Sequence, residues 1–559
     1  MPLSKATVGL ALCAVGAGAV LGHGLLPLLR QGALPAPGTA FALVRYEGWV
    51  HNLLAVQLFC CAVVAGIVRL GSRKSIGPSA QLALFHDGHA LVGAALAVGL
   101  HGGAAAWPLA FMCVGRALVG AAQALRLRVG VASALVWAYA AIAVLVTNAS
   151  EGAGAGYWCE RLLGPSSALA PAAAALDAVR GVAPAHFTAG LAFRYTAMRF
   201  VSWALDTLSG RVVEATRSGA VERACAACTA AAAPESPRIA AVVPDSPVSS
   251  PAKVHATSRV GLASATWPAF FSYMLHVPTY LAGPLLTAAD YYQQAAAASA
   301  GLKTAAPSLA GAAWWRAAAR MAGCVAFAEL LRRTFFADAA VQALLAQQPW
   351  QSWALGYCVL TALYAQSYVP WTFARLCSGA LGIATADEVP LGFLASSTSP
   401  RTFWRSFHVS WYRWLCAYVY VPLGGSTAAL AATLAVSTLL HGTHRRARRW
   451  AWLTWGAIQC GALLAERWME RRGTGPLSRL HPHLRAALAQ CATQTTLLVQ
   501  LPLGPSLPKF LACFHAVNLP FCVLNAARLA AAAKGGGRAG GGGKDALFQR
   551  RKPAKLAWE

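Results

Sequence analysis

Two histidines occupy stretches of this chain with no acidic neighbour. His408 lies in SPRTFWRSFHVSWYRWLCAYVYVPLGGS and His441 in TAALAATLAVSTLLHGTH. From Val389 to Ala465, 77 residues pass without an Asp or Glu. That interval alone can assemble neither a Ser-His-Asp triad nor a carboxylate-bearing metal site. It can supply imidazole, which with an unperturbed pKa of ~6.5 is mostly neutral at pH 7 and has a lone pair able to take a proton from a hydroxyl. The chemistry that fits is acyl transfer to oxygen or nitrogen. A histidine that only hydrogen-bonds a carbonyl or a lipid headgroup is the competing role, and composition does not separate the two.

Other constellations carry less. His441 and His444 are three residues apart and would share a helix face, but no carboxylate or thiolate stands near to complete a metal shell. Cys225 and Cys228 form one CxxC without a second pair. The 15 cysteines are odd in number, and Cys60, Cys61, Cys113, Cys324 and Cys460 lie in apolar runs where they act as small hydrophobes. No disulfide framework is indicated.

The elements that must position the histidines are membrane helices. The chain has 559 residues, 57% of them hydrophobic and 12% charged, with a mean hydropathy of +0.50. Globular chains carry roughly 25% charged residues, so most soluble classes are excluded. Runs free of Asp, Glu, Lys and Arg extend over Ala6–Leu29, Gly48–Val68, Gly88–Gly115, Val129–Ser150, Gly261–Ala289, Ser352–Ala374, Trp414–His444 and Ala486–Pro508. Each approaches or exceeds the ~20 residues that span a bilayer. With shorter candidates at Trp450–Ala465, Phe510–Ala527 and near Ala313–Arg333, about ten to twelve membrane segments are expected. The alternation of a β-barrel is absent, so the fold class is all-α, a polytopic transmembrane helical bundle with broken or re-entrant helices. The first run is longer than the ~7–15-residue apolar core of a signal peptide and reads as an uncleaved anchor.

The expected organisation is N-terminal transmembrane helices over 1–150, a connection and one further helix over 151–208, and an Ala/Pro/Ser-rich disordered loop over 209–259. A core follows over 260–530, with a flexible basic tail over 531–559. Lys and Arg outnumber Asp and Glu by 46 to 19, a net charge of +27. No nucleic-acid module accompanies that charge, which reads as membrane orientation and contact with anionic lipid. The tail and the Arg69, Arg73, Lys74 cluster are expected on the cytosolic side. Arg445, Arg446, Arg448 and Arg449 read as a surface anchor.

The segment Phe403-Trp404-Arg405-Ser406-Phe407-His408, followed by Trp414-Leu415 and Tyr418-Val419-Tyr420-Val421-Pro422-Leu423-Gly424-Gly425-Ser426, resembles the signature of membrane-bound O-acyltransferases. Leu439-Leu440-His441 matches the block that carries the family's active-site His, with Leu440 where Trp is usual. Three further blocks, Arg194–Asp206, Tyr273–Thr287 and Val369–Leu376, resemble the glycerol-uptake-protein and hedgehog-acyltransferase branch. The resemblance implies a fatty acyl-CoA donor, a lipid acceptor of lysolipid or glycosylphosphatidylinositol type, no metal or redox cofactor, and residence in the endoplasmic reticulum. It makes His441 the general base and His408 its helper. Trp404, Arg405, Tyr420, Pro422, Gly424 and Gly425 are expected to bind substrate, the last three as a helix break lining a tunnel. Three other functions stand beside this one: a proton-coupled glycerol or polyol transporter, a protein acyltransferase of the hedgehog type, and an inactive scaffold.

Overall fold

A computed structural model describes residues 54–73, 77–149, 157, 160, 161, 164, 167–178, 189–210, 266–281, 283–299, 312–334, 349–389, 400–441, 456–466, 480–498 and 507–536. Among these residues every regular element is a helix. The first apolar run, the CxxC, nearly all of the polar loop, His444 with its arginines, and the glycine-rich tail beyond Gly536 fall outside the described residues, while 531–536, expected to begin the flexible tail, continue the last helix.

The helices are α1 Leu54–Arg73, α2 Pro78–His101, α3 Ala106–Ala124, α4 Val129–Ala149, α5 Ala170–Ala178, α6 Ala189–Leu208, α7 Trp267–Met274, α8 Ala288–Ser299, α9 Ala312–Thr334, α10 Pro349–Ala380, α11 Pro400–Ser406, α12 Val409–Leu415, α13 Thr427–His441, α14 Pro482–Leu498 and α15 Leu507–Gly536. A helical stretch over 456–466 lies between α13 and α14. Ser79–Ala124, Val129–Asn148 and Leu507–Ala531 are long and apolar enough to cross a membrane, and α13 is a shorter apolar helix. The chain divides into two compact units, one of residues 48–320 and 370–386, the other of 321–369 and 387–559 together with the first 47 residues. One of the divisions falls at Pro370, inside α10.

In the unit of 48–320, α3, α4 and α6 meet through rings. Phe111 stacks on Tyr139 at 4.9 Å, and Phe200 lies edge-on to both at 5.1 and 5.6 Å. Two of the family-like sequence blocks join here. On α6, Arg199 donates to the carbonyl of Met274 at 3.1 Å and to the carbonyl and hydroxyl of Thr279. Further along the same helix, Ser202 Oγ and Asp206 Oδ2 accept from the Ala288 and Ala289 amides, at 3.2 and 3.3 Å, so α6 caps the start of α8. These blocks are joinery for the turn over 275–287.

In the other unit α14 and α15 run antiparallel. Gln490 pairs with Asn525, Gln494 with Asn518 and Thr495 with His515, which are buried or half-buried polar pairs between apolar helices. On α10, Trp353 stacks on Phe521 at 5.0 Å, and a Cβ on Gly356 would come within 2.4 Å of the Phe514 ring. The first helix of the His408 block, α11, packs on α14.

Candidate active site

The His408 block is not one helix. Its polypeptide turns at Phe407-His408, where His408 has φ 56°, the left-handed region that a side chain with a Cβ rarely adopts. A π-helical turn, Cys416–Tyr420, then follows α12. Such turns are frequent at functional sites. Left-handed backbone at a residue other than glycine persists only where its surroundings over-determine it. Here one residue does so. The carbonyl of Glu388 accepts from the His408 amide at 2.8 Å. Its Oε2 accepts from His408 Nδ1 at 2.9 Å and from the Ser410 amide at 3.0 Å.

His441 is the last residue of α13, and its Nδ1 lies 2.7 Å from the carbonyl oxygen of Ser437, one turn back. A carbonyl oxygen only accepts, so Nδ1 carries the proton and the neutral ring holds its lone pair on Nε2. Trp411 touches both histidines, with ring centroids 5.2 Å from His408 and 5.0 Å from His441. Its indole N–H donates to Ser437 Oγ at 3.2 Å. Ser437 therefore fixes the indole through its side chain and His441 through its backbone. Next to it, Thr438 meets the 456–466 helix at Gly456, where an added Cβ would come 2.3 Å from the Thr438 hydroxyl.

The other expected residues divide. Trp404 is half-buried and donates to Gln459 Oε1 at 2.9 Å, which ties α11 to the 456–466 helix. Arg405 is exposed on the last turn of α11. Tyr420, Pro422, Gly424 and Gly425 form the turn into α13. Gly424 and Gly425 take φ of 78° and 63°, and the Tyr420 hydroxyl donates to the Gly425 carbonyl at 2.6 Å. That turn sits at the start of α13, about 20 Å along the helix from His441, and Pro422 and Gly424 are exposed. The structure thus brings His408 and His441 together around Trp411 and leaves the Pro-Gly-Gly turn at the other end of the helix.

Glu388 was missed by the sequence reading. The acid-free interval itself supplies the histidines with no carboxylate. The two glutamates that bound it fold back: Glu388 reaches His408, and Glu466 Oε2 accepts from the Arg401 amide at 3.0 Å in the first turn of α11. The available signal was their place at the very edges of the gap. Among the described residues no three His, Cys, Asp or Glu side chains converge as metal ligands.

The sequence profile of the membrane-bound O-acyltransferase family matches residues 186–492. The chain belongs to that family. The matched stretch contains α6, the 275–287 turn, Glu388, both histidines and Trp411, so this O-acyltransferase-family chain keeps its two-histidine centre inside the shared region. Over 190 residues it is 28% identical to the membrane-bound O-acyltransferase GUP2 of Saccharomyces cerevisiae, covering 33% of this chain and 30% of that protein. It is 28% identical to the membrane-bound O-acyltransferase gup1 of Schizosaccharomyces pombe over 225 residues, 39% of this chain and 36% of that one. The mouse protein-cysteine N-palmitoyltransferase HHAT is 26% identical over 263 residues, 43% of this chain and 50% of the mouse protein. The chain thus spans about a third of the length of the yeast relatives and half of the mouse one.

Proposed function

We propose that this protein is a membrane-embedded acyltransferase that moves a fatty acyl group from acyl-CoA to a hydroxyl of a lipid acceptor, a lysolipid or a glycosylphosphatidylinositol. The observation that carries the reading is the His441 geometry: Nδ1–H held on the Ser437 carbonyl, which leaves Nε2 as the base. His441 Nε2 takes the proton of the acceptor hydroxyl as that oxygen bonds to the thioester carbonyl carbon. The tetrahedral intermediate then expels CoA thiolate, which receives the proton from the imidazolium. His408 stands across Trp411, where it positions the acceptor or stabilises the developing charge. A base and an electrophilic thioester complete this sequence, so it calls on no metal or redox cofactor. Family membership supports the reaction class, and the endoplasmic reticulum is the proposed location.

A protein amine is the second acceptor class, favoured by the name of the mouse relative, a protein-cysteine N-palmitoyltransferase. Purified protein in detergent, given labelled palmitoyl-CoA with lysolipid, glycosylphosphatidylinositol or a peptide bearing an N-terminal cysteine, separates these acceptors. Lipid product that disappears in His441→Ala supports the proposal, and product only on the peptide transfers it to the second class. Accumulation of glycerol by proteoliposomes driven by a pH gradient, with no acyl product on any acceptor, would instead establish transport.

A further inference from the structure

We infer that Glu388 is the positioning residue of the acyl-transfer centre, setting the orientation and tautomer of His408; this rests on the acyltransferase reading above. The residue is 2% exposed and makes four contacts with the His408 turn, two through its carbonyl, from the His408 and Val409 amides, and two through a single carboxylate oxygen. A carboxylate oxygen accepts, so Nδ1 of His408 donates to it and the neutral ring carries its lone pair on Nε2. The same oxygen accepts the Ser410 amide at the start of α12, so the ring and the helix start are fixed together. Capping of α12 alone would be served by the Ser410 bond and would place no constraint on the imidazole. The other carboxylate oxygen, Oε1, is buried and completes no hydrogen bond among the described residues. Burial of a carboxylate oxygen without a partner costs free energy, so packing alone does not account for this residue. Fixing a ligand or base through its second ring nitrogen does account for it, and loss of partners of this kind lowers activity by roughly 10–100-fold in metal sites.

The test compares full-length wild type with Glu388→Ala, Glu388→Gln and His408→Ala on whichever acceptor the wild type uses. Glu388→Ala is expected to lower kcat by roughly 10–100-fold with KM for acyl-CoA within about twofold. Glu388→Gln, which keeps an amide oxygen for both donors, is expected to recover most of that loss. In the His408→Ala background Glu388→Ala adds nothing, because residues acting through one another are not additive. Wild-type kcat in a folded Glu388→Ala protein, no recovery in Glu388→Gln, or additive losses would overturn the inference. A readout independent of turnover is carbethoxylation of the histidines by diethyl pyrocarbonate, mapped by mass spectrometry. A changed rate at His408 and an unchanged rate at His441 in Glu388→Ala is expected; unchanged rates at both would overturn the inference even if the wild type transferred no acyl group. Absence of acyl transfer by the wild type, with His408 reactivity still dependent on Glu388, would remove the functional reading and leave the positioning role standing.

Discussion

At the scale of single residues, the two histidines are distinguished by what stands behind each ring. His441 rests on a backbone carbonyl of its own helix, His408 on a carboxylate from outside its block, and Trp411 separates them. The expected consequence of His441→Ala is a fall in kcat of roughly 10²–10⁴, the usual contribution of a general base, with little change in KM for acyl-CoA. Steady-state kinetics with a saturating acceptor read this directly. Trp411→Phe keeps a ring between the imidazoles and deletes the bond to Ser437 Oγ. A net hydrogen bond of about 1 kcal/mol predicts a loss of roughly fivefold, and Trp411→Ala is expected to lose more because both imidazoles then lose a packing face. Wild-type activity in both variants would mean that the indole is a bystander. His408 and His441 were both legible in the sequence as polar residues in apolar surroundings. The carboxylate at His408 was not, because its neighbours in sequence give no hint of which way the chain turns after Glu388.

At the scale of elements, the site depends on how closely three helices approach. Gly456 lets its helix sit against Thr438 on α13, one residue from the Ser437 pivot. Gly461, farther along the same helix, has open space where a Cβ would be. Gly456→Ala is therefore expected to destabilise the protein by about 1–3 kcal/mol, the range for an overpacked contact, and to lower activity by displacing α13. Gly461→Ala is expected to be neutral or to stabilise by up to about 1 kcal/mol through helix propensity. Thermal unfolding of the two variants in one detergent checks the pair, and equal shifts would contradict the packing argument. The apolar run Phe510–Ala527 foretold most of α15, since a helix long enough to cross a bilayer is recorded in local composition, whereas the run Trp414–His444 is only half filled by the shorter α13. The division of 400–420 into α11, α12 and a π-helical turn left no such record, because left-handed His408 is held by contacts and not by propensity.

At the scale of the whole molecule, the excess of basic residues predicts orientation. An engineered glycosylation sequence placed after Lys544 is expected to stay unmodified, since Lys534, Arg538, Arg550, Arg551 and Lys552 favour the cytosolic face. Efficient glycan addition there would reverse the orientation. A synthetic peptide of residues 534–559 is expected to bind vesicles of anionic lipid, each basic residue near the surface contributing ~1 kcal/mol, and to release as salt rises. Binding to neutral vesicles with equal strength would remove the electrostatic account. The membrane class, the scarcity of acids around the histidines and the likeness to an acyltransferase family were all determined by the sequence itself, because hydropathy, composition and ordered motifs are properties of neighbouring residues. The tertiary structure alone decided that Glu388 closes on His408, that Trp411 lies against both imidazoles and that the Pro-Gly-Gly turn stands away from His441. Those facts depend on the direction in which hydrogen-bonding groups point once the chain has reversed, and direction is fixed only when helices pack.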